Sequence, residues 1–200
     1  LKKISQSSSS SLRFPFAAIP KSGAHHQVAN GIHWCRHDLP FALDHINTWL
    51  LQDHDKWVIV DTGVSDDRSQ DGWRNILDGE LSGSEISKII VTHYHPDHIG
   101  NADWLSKRSL ASVWMSSSEF LTAHAVFDKT ATHSAQATGA LFRQHGLPDD
   151  EVDSVSAKGD HYKALVRSLP TSFLRITNGE TLDVGESSWQ IIVGSGHSPE

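Results

Sequence analysis

Three histidines and an aspartate fall within six residues in Thr92-His93-Tyr94-His95-Pro96-Asp97-His98, a pattern that no single helix face or strand face can present. Such side chains converge only where a tight loop after a strand turns them toward one point. The usual occupant of such a point is a divalent cation. The flanks predict that loop: Lys88-Ile89-Ile90-Val91 is an apolar, β-branched run expected as a buried strand over 87–92, and Gly100 through Leu105 reads as a helix start with Asn101 as its cap. His93 and His95 alternate and so project to one side. Pro96 is expected to stop the strand and let Asp97 and His98 turn back toward a second position. Imidazole nitrogens with one or two carboxylate oxygens suit zinc first, with iron, manganese or nickel as substitutes.

Two further segments end predicted strands in the same manner. Trp57-Val58-Ile59-Val60 runs into Asp61-Thr62-Gly63, and Ile191-Ile192-Val193 runs into Gly194-Ser195-Gly196-His197-Ser198-Pro199. In this order, Asp-Thr-Gly, His-x-His-x-Asp-His and Gly-His-Ser-Pro resemble the motifs of the metallo-β-lactamase superfamily. The resemblance implies an α+β fold, the αββα sandwich, in which two mixed sheets pack face to face with helices outside and metals lie at one edge. It implies that His93, His95 and His197 hold one zinc, and that Asp97 and His98 contribute to a second. Asp61 would orient a ligand or shape the loop, its competing reading being a plain turn aspartate before Gly63. Two-metal members of the family carry a bridging aspartate and a last histidine downstream of the third motif. This sequence reaches Glu200 without them and starts at Leu1, so the C-terminal part is expected to be missing and the chain to be the front portion of a longer enzyme.

Composition narrows the function classes. Two hundred residues with 38% hydrophobic and 20% charged content suit one domain with a real core. No apolar run approaches the roughly 20 residues a membrane helix requires. A formal net charge of −7 argues against general nucleic-acid binding, which needs clustered Lys and Arg. The single Cys35 cannot form an internal disulfide, and it lies in a predicted strand where a small buried hydrophobe is the default. No signal peptide is legible, and a cytoplasmic location is expected. The Ser-rich, acid-free start bears a faint likeness to an organelle transit peptide, but residues 1–22 read as a flexible tail and linker. The metallo-β-lactamase-like domain is then 23–200, incomplete, with a helical insert at about 104–170.

Within the domain, strands are expected at 31–36, 45–52 and 57–61, then a helix at 71–78. In the insert, helices are expected to start at Ser116 and Ser134. Tyr162, Leu165, Val166 and Leu169 define one face of a helix ending before Pro170. Strands return at 173–176, 181–184 and 189–193, with Asn178-Gly179 as the turn between the first two; they are expected to begin the second sheet and leave an apolar sheet face partly uncovered. His25, His26, His33, His37, His54, His124 and His145 read as surface or packing residues, whereas His45, His133 and His161 are candidates for a pocket role.

The chemistry follows from the ion. Zinc held by neutral imidazoles lowers the pKa of bound water to about 7, so a metal-bound hydroxide is available to attack a polarised carbonyl. Asp97 would orient that water or pass its proton to the leaving group. The expected activity is a zinc-dependent hydrolase with one or two metals, acting on a small-molecule thioester, ester, lactone or β-lactam. A phosphodiesterase or nuclease of the same superfamily is the alternative, and a catalytically inactive metal-binding protein is the rival outside catalysis. A di-iron redox protein fits less well, since such relatives tend to place a glutamate where this chain has His95.

Overall fold

Seven strands, hydrogen-bonded in chain order, make one mixed sheet in the computed structural model, which describes residues 15–16, 18–157 and 161–200. The tail expected over 1–22 lies outside the described residues through position 14, as does the side chain of the pocket candidate His161. Strands β1 (His25–Ala29), β2 (Ile32–Asp38), β3 (His45–Asp53) and β4 (Lys56–Val60) form an antiparallel meander. Strands β5 (Glu85–Ile90), β6 (Ser112–Met115) and β7 (Leu174–Arg175) then add in parallel. Parallel neighbours need crossovers, and helices supply them. Helix α1 (Asp67–Asp78) joins β4 to β5, while α2 (Pro96–Ile99) and α3 (Ala102–Ser109) join β5 to β6. The long link from β6 to β7 holds α4 (Ser117–Phe127), α5 (Ala135–Gln144), α6 (Asp149–Ala157) and α7 (His161–Leu165). A hairpin of β8 (Thr181–Val184) and β9 (Ser187–Gln190) forms a separate sheet.

The two-residue period of the strands explains the layering. Cys35, Leu50, Ile59, Ile89, Val113 and Met115 share one sheet face and are buried, in a core with Trp73 and Ile76 of α1, Leu105 of α3 and Phe120 of α4. The other face carries Trp34, Trp49, Leu51, Val58, Val60 and Ile90. There Val184 of β8 packs on Leu51 and Val58, while Trp49 stays 36% and Leu174 45% exposed. Asp53 ties the two sheets together: one carboxylate oxygen accepts from the Gly185 N–H at 2.9 Å, the other from Lys88 Nζ and Ser87 Oγ, each at 2.8 Å. Burial works against that charge, but the Lys88 ammonium and the other donors outweigh it and hold the carboxyl well below its usual range. Among the described residues no helix is long and apolar enough to cross a membrane.

Several elements differ from the sequence-based expectation, each for a physical reason. Strand β1 was not anticipated, and α1 starts at Asp67 because the Asp66 carboxylate caps it, accepting from Ser69 N at 2.7 Å. The helix expected through Leu169 stops at Leu165, whose carbonyl accepts from Ser65 N at 2.7 Å; Val166 and Leu169 are buried all the same. The region expected as a helical insert contains β6. Strand β7 does not begin the second sheet but pairs with β6, so Asn178-Gly179 carries the chain from one sheet to the other rather than closing a hairpin. Phe173, stacked on Phe120 at 4.1 Å, anchors that edge.

His37 on β2 is a packing residue of an unusual kind. Its ring is fully buried 4.8 Å from that of Trp73, with Nε2 and Thr48 Oγ1 at 3.1 Å, and burial pushes its pKa down to about 4. The folded pKa lies below the unfolded value, so the unfolded chain takes up the proton first as pH falls. The resulting stability is full above about pH 6.5 and is lost toward pH 4, about 3 kcal/mol in all. The stability gap between wild type and His37→Gln, from urea unfolding, should therefore shrink by about 2–3 kcal/mol between pH 7.5 and 4.5. A gap independent of pH would exclude a neutral buried imidazole.

Candidate metal centre

The site stands at the carboxyl ends of β4 and β5, where parallel strands leave their loops on one edge of the sheet. After β5 the chain runs through Val91 and Thr92 to His93 and His95, and Pro96 then opens the single turn of α2. Pro96 therefore does not stop the strand, which ends at Ile90; it takes the first helical position, where a missing N–H costs nothing. Within that turn Asp97 and His98 rotate back toward the loop. His197 arrives from the far end of the chain, after Gly196, whose φ of +141° is a conformation that side chains other than glycine rarely adopt.

The three imidazoles meet. Ring centroids of His93 and His95 are 4.8 Å apart, those of His93 and His197 5.2 Å, and those of His95 and His197 4.4 Å. One nitrogen from each lies within 4.8 Å of the others. Asp97 and His98 sit beside this trio rather than in it. The His98 ring is 3.9 Å from that of His93, and His98 Nε2 is 3.5 Å from Asp97 Oδ2. Of the pocket candidates, His45 and His133 do not join them: His45 pairs with its neighbour Asp44 at 2.6 Å, and His133 with Thr132 at 3.0 Å.

The electrostatics suit a cation. Burial, then the nearby rings of His98 and His95, push the pKa of His93 down to about 4, while burial and His197 lower that of His95. Both rings are neutral near pH 7 and present lone pairs. His93 Nε2 is buried and has no hydrogen-bond partner among the described residues, an orphan that a metal would satisfy. Burial disfavours charge on His98, but its hydrogen bond to Asp61 and the carboxylates of Asp61 and Asp97 outweigh burial and raise its pKa. With Nδ1 donating to Asp61 Oδ2 at 2.8 Å, Nε2 faces a carboxylate oxygen of Asp97 at 3.5 Å. A proton on Nε2, or a cation, would satisfy both groups. The residues present therefore fit one metal at His93, His95 and His197, and offer donors for a second.

Asp61 bonds both to a ring beside the trio and to the loop that carries the histidines. It is buried with φ +60°, and its carboxylate holds Thr92 N at 2.8 Å as well as His98. Other supports were not legible in the roles they take. Thr62 Oγ1 donates to the His98 carbonyl at 2.7 Å. Asn101 takes the cap position of α3 without a capping bond; its buried amide donates instead to the carbonyls of Thr62 and Val64 at 3.0 and 2.6 Å. An apolar recess lined by Ile90, Ile176 and Val193 adjoins His93 and His197.

Comparison with known proteins bears on the family and the fold. A family model described as the metallo-beta-lactamase superfamily matches residues 42–199. The crystal structure of a beta-lactamase domain protein from Burkholderia ambifaria is similar at 34% identity and a TM-score of 0.75, over 93% of this chain and 52% of that one. A metallo-beta-lactamase family protein from Thermus thermophilus is similar at 25% identity and a TM-score of 0.68, over 86% of this chain and 55% of that one. A subclass B3 metallo-beta-lactamase of Bradyrhizobium japonicum shares the fold at 15% identity and a TM-score of 0.56, over 90% of this chain and 54% of that one. The chain thus spans about half the length of these solved proteins. Among curated proteins there is no significant match.

Proposed function

This chain belongs to the metallo-beta-lactamase superfamily, and on that basis we propose that it serves a zinc-dependent hydrolase acting on a carbonyl compound of the thioester, ester, lactone or β-lactam class. One observation carries the reading. Imidazoles from two distant segments converge with one nitrogen of each within 4.8 Å of the others, and one of them buries an unpartnered nitrogen. His93, His95 and His197 would hold the ion, and imidazole donors favour zinc. Zinc bound there supplies a Lewis acid, which lowers the pKa of water to about 7 and polarises a carbonyl oxygen.

The rest of the work falls to the chain. Asp97, whose carboxylate lies 3.5 Å from His98 Nε2, would take a proton and return it to a leaving group. Asp61 keeps the His98 Nδ1 proton in place, so Nε2 points toward Asp97 as a donor for a second cation. Thr62 and Asn101 hold the turn that carries both.

The test is metal analysis of the purified chain together with a hydrolysis panel of thioester, lactone, cephalosporin and bis-nitrophenyl phosphate. Turnover of at least one carbonyl substrate, abolished by a chelator and restored by Zn2+, is the expected result. Turnover indifferent to chelation would remove the zinc mechanism. Metal without turnover would favour a binding role, and phosphodiester cleavage alone would move the chain to the nuclease-like branch.

A further inference from the structure

Ser116 and Glu119 have the spacing of a capping box, in which the glutamate at the third helical position would reach back to its own helix start. Half of the box forms: Glu119 N donates to Ser116 Oγ at 3.4 Å. The carboxylate goes elsewhere. One oxygen accepts the N–H of Tyr94 and the other the N–H of Glu200, each at 2.8 Å, and the side chain is fully buried. Tyr94 stands between His93 and His95, and Glu200 follows His197 by three residues, so one carboxylate grips both loops that deliver imidazoles. A second group from the same inter-strand segment completes the hold. Tyr162 Oη on α7 donates to the Tyr94 carbonyl at 2.7 Å. Both backbone polar groups of Tyr94 are thus fixed by side chains that arrive from α4 and α7.

Burying a charged carboxylate is costly unless it is hydrogen-bonded, and a core position on α4 would be served better by leucine if covering the sheet were the only task. The position of the bonds, on the two ligand loops, is the informative part. We infer that Glu119 and Tyr162 are positioning residues, which clamp the His93–His95 loop and the His197 loop in register so that the three imidazoles face one metal. The helical segment between β6 and β7 is then part of the metal site's support, not only a cover for the sheet. This inference rests on the metal reading given above.

Co2+ is the probe, titrated into metal-free wild type, Glu119→Gln and Tyr162→Phe, with visible absorption reporting ligand geometry and thermal unfolding reporting the fold. Orienting groups of this kind typically contribute 10–100-fold to metal affinity, and a loss of that size with an altered cobalt band is expected in both variants. A purely structural role would lower the melting temperature and leave affinity and band unchanged. That result overturns the inference. Tyr162→Phe removes a single hydroxyl and decides the matter if Glu119→Gln does not fold. Wild type that takes up no Co2+ would defeat the metal reading instead, and amide exchange in the metal-free protein then decides the clamp. Faster exchange at Tyr94 or Glu200 in Glu119→Gln supports it, and unchanged exchange at both overturns it.

Discussion

Truncating His197 to alanine should lower the affinity for Zn2+ by at least ~100-fold while leaving the fold intact, since even groups that merely orient a ligand account for 10–100-fold. His197 supplies one of the three clustered nitrogens, yet it stands on an exposed loop beyond β9, remote from the core of Trp73, Ile76 and Leu105. Loss of a ligand and loss of structure are therefore separable at this position. Competition with a chelator of known affinity measures the first, and unfolding of the metal-free protein measures the second. Turnover, where the wild type has any, should fall with the metal and return only in part at high Zn2+. Affinity within tenfold of wild type would mean that the close approach of His197 to His93 and His95 serves packing.

What could be read in advance divides along a physical line. Ligand spacing is local, so His93, His95, Asp97 and His98 were legible as a group, and the apolar β-branched runs before Asp61 and His93 marked the strands that carry them. His197 was legible only by resemblance, because nothing in the sequence links it to His93. Side-chain partners across the fold were not legible at all. Asn101 has a cap residue's identity and position, and tertiary contact redirected its amide to Thr62 and Val64. Glu119 was likewise diverted from its own helix start. The same competition moved β7: the edge of β6 offered unpaired backbone groups, and Leu174-Arg175 satisfied them in parallel, a pairing whose register depends on the intervening helices.

Gly100→Ala is expected to be the most disruptive single methyl addition near the site. The glycine has ordinary right-handed helical dihedrals, φ −52° and ψ −42°, so its smallness and not its flexibility is what the position requires. A Cβ there would lie 2.5 Å from the Pro96 carbonyl oxygen, 2.6 Å from that of Gly63 and 2.8 Å from Ser65 N. All three are backbone atoms, which cannot swing away as a side-chain tip can. Relief requires the Asp61-Thr62-Gly63 loop to part from α2, and that parting stretches the bonds from Thr62 and Asp61 to His98. Overpacking of a tight site costs roughly 3 kcal/mol at its upper range, which for a chain of this size lowers the melting temperature by about 10 °C. Gly194→Ala is the control: nothing lies within 4 Å of its added methyl, and its stability should match wild type to within about 0.5 kcal/mol. Metal affinity should fall in Gly100→Ala even at temperatures where it remains folded, because the displaced turn carries Asp97 and His98. Equal melting temperatures for Gly100→Ala and wild type would show that the two loops are not held in contact, and the orienting role assigned to Asp61 would fall with them.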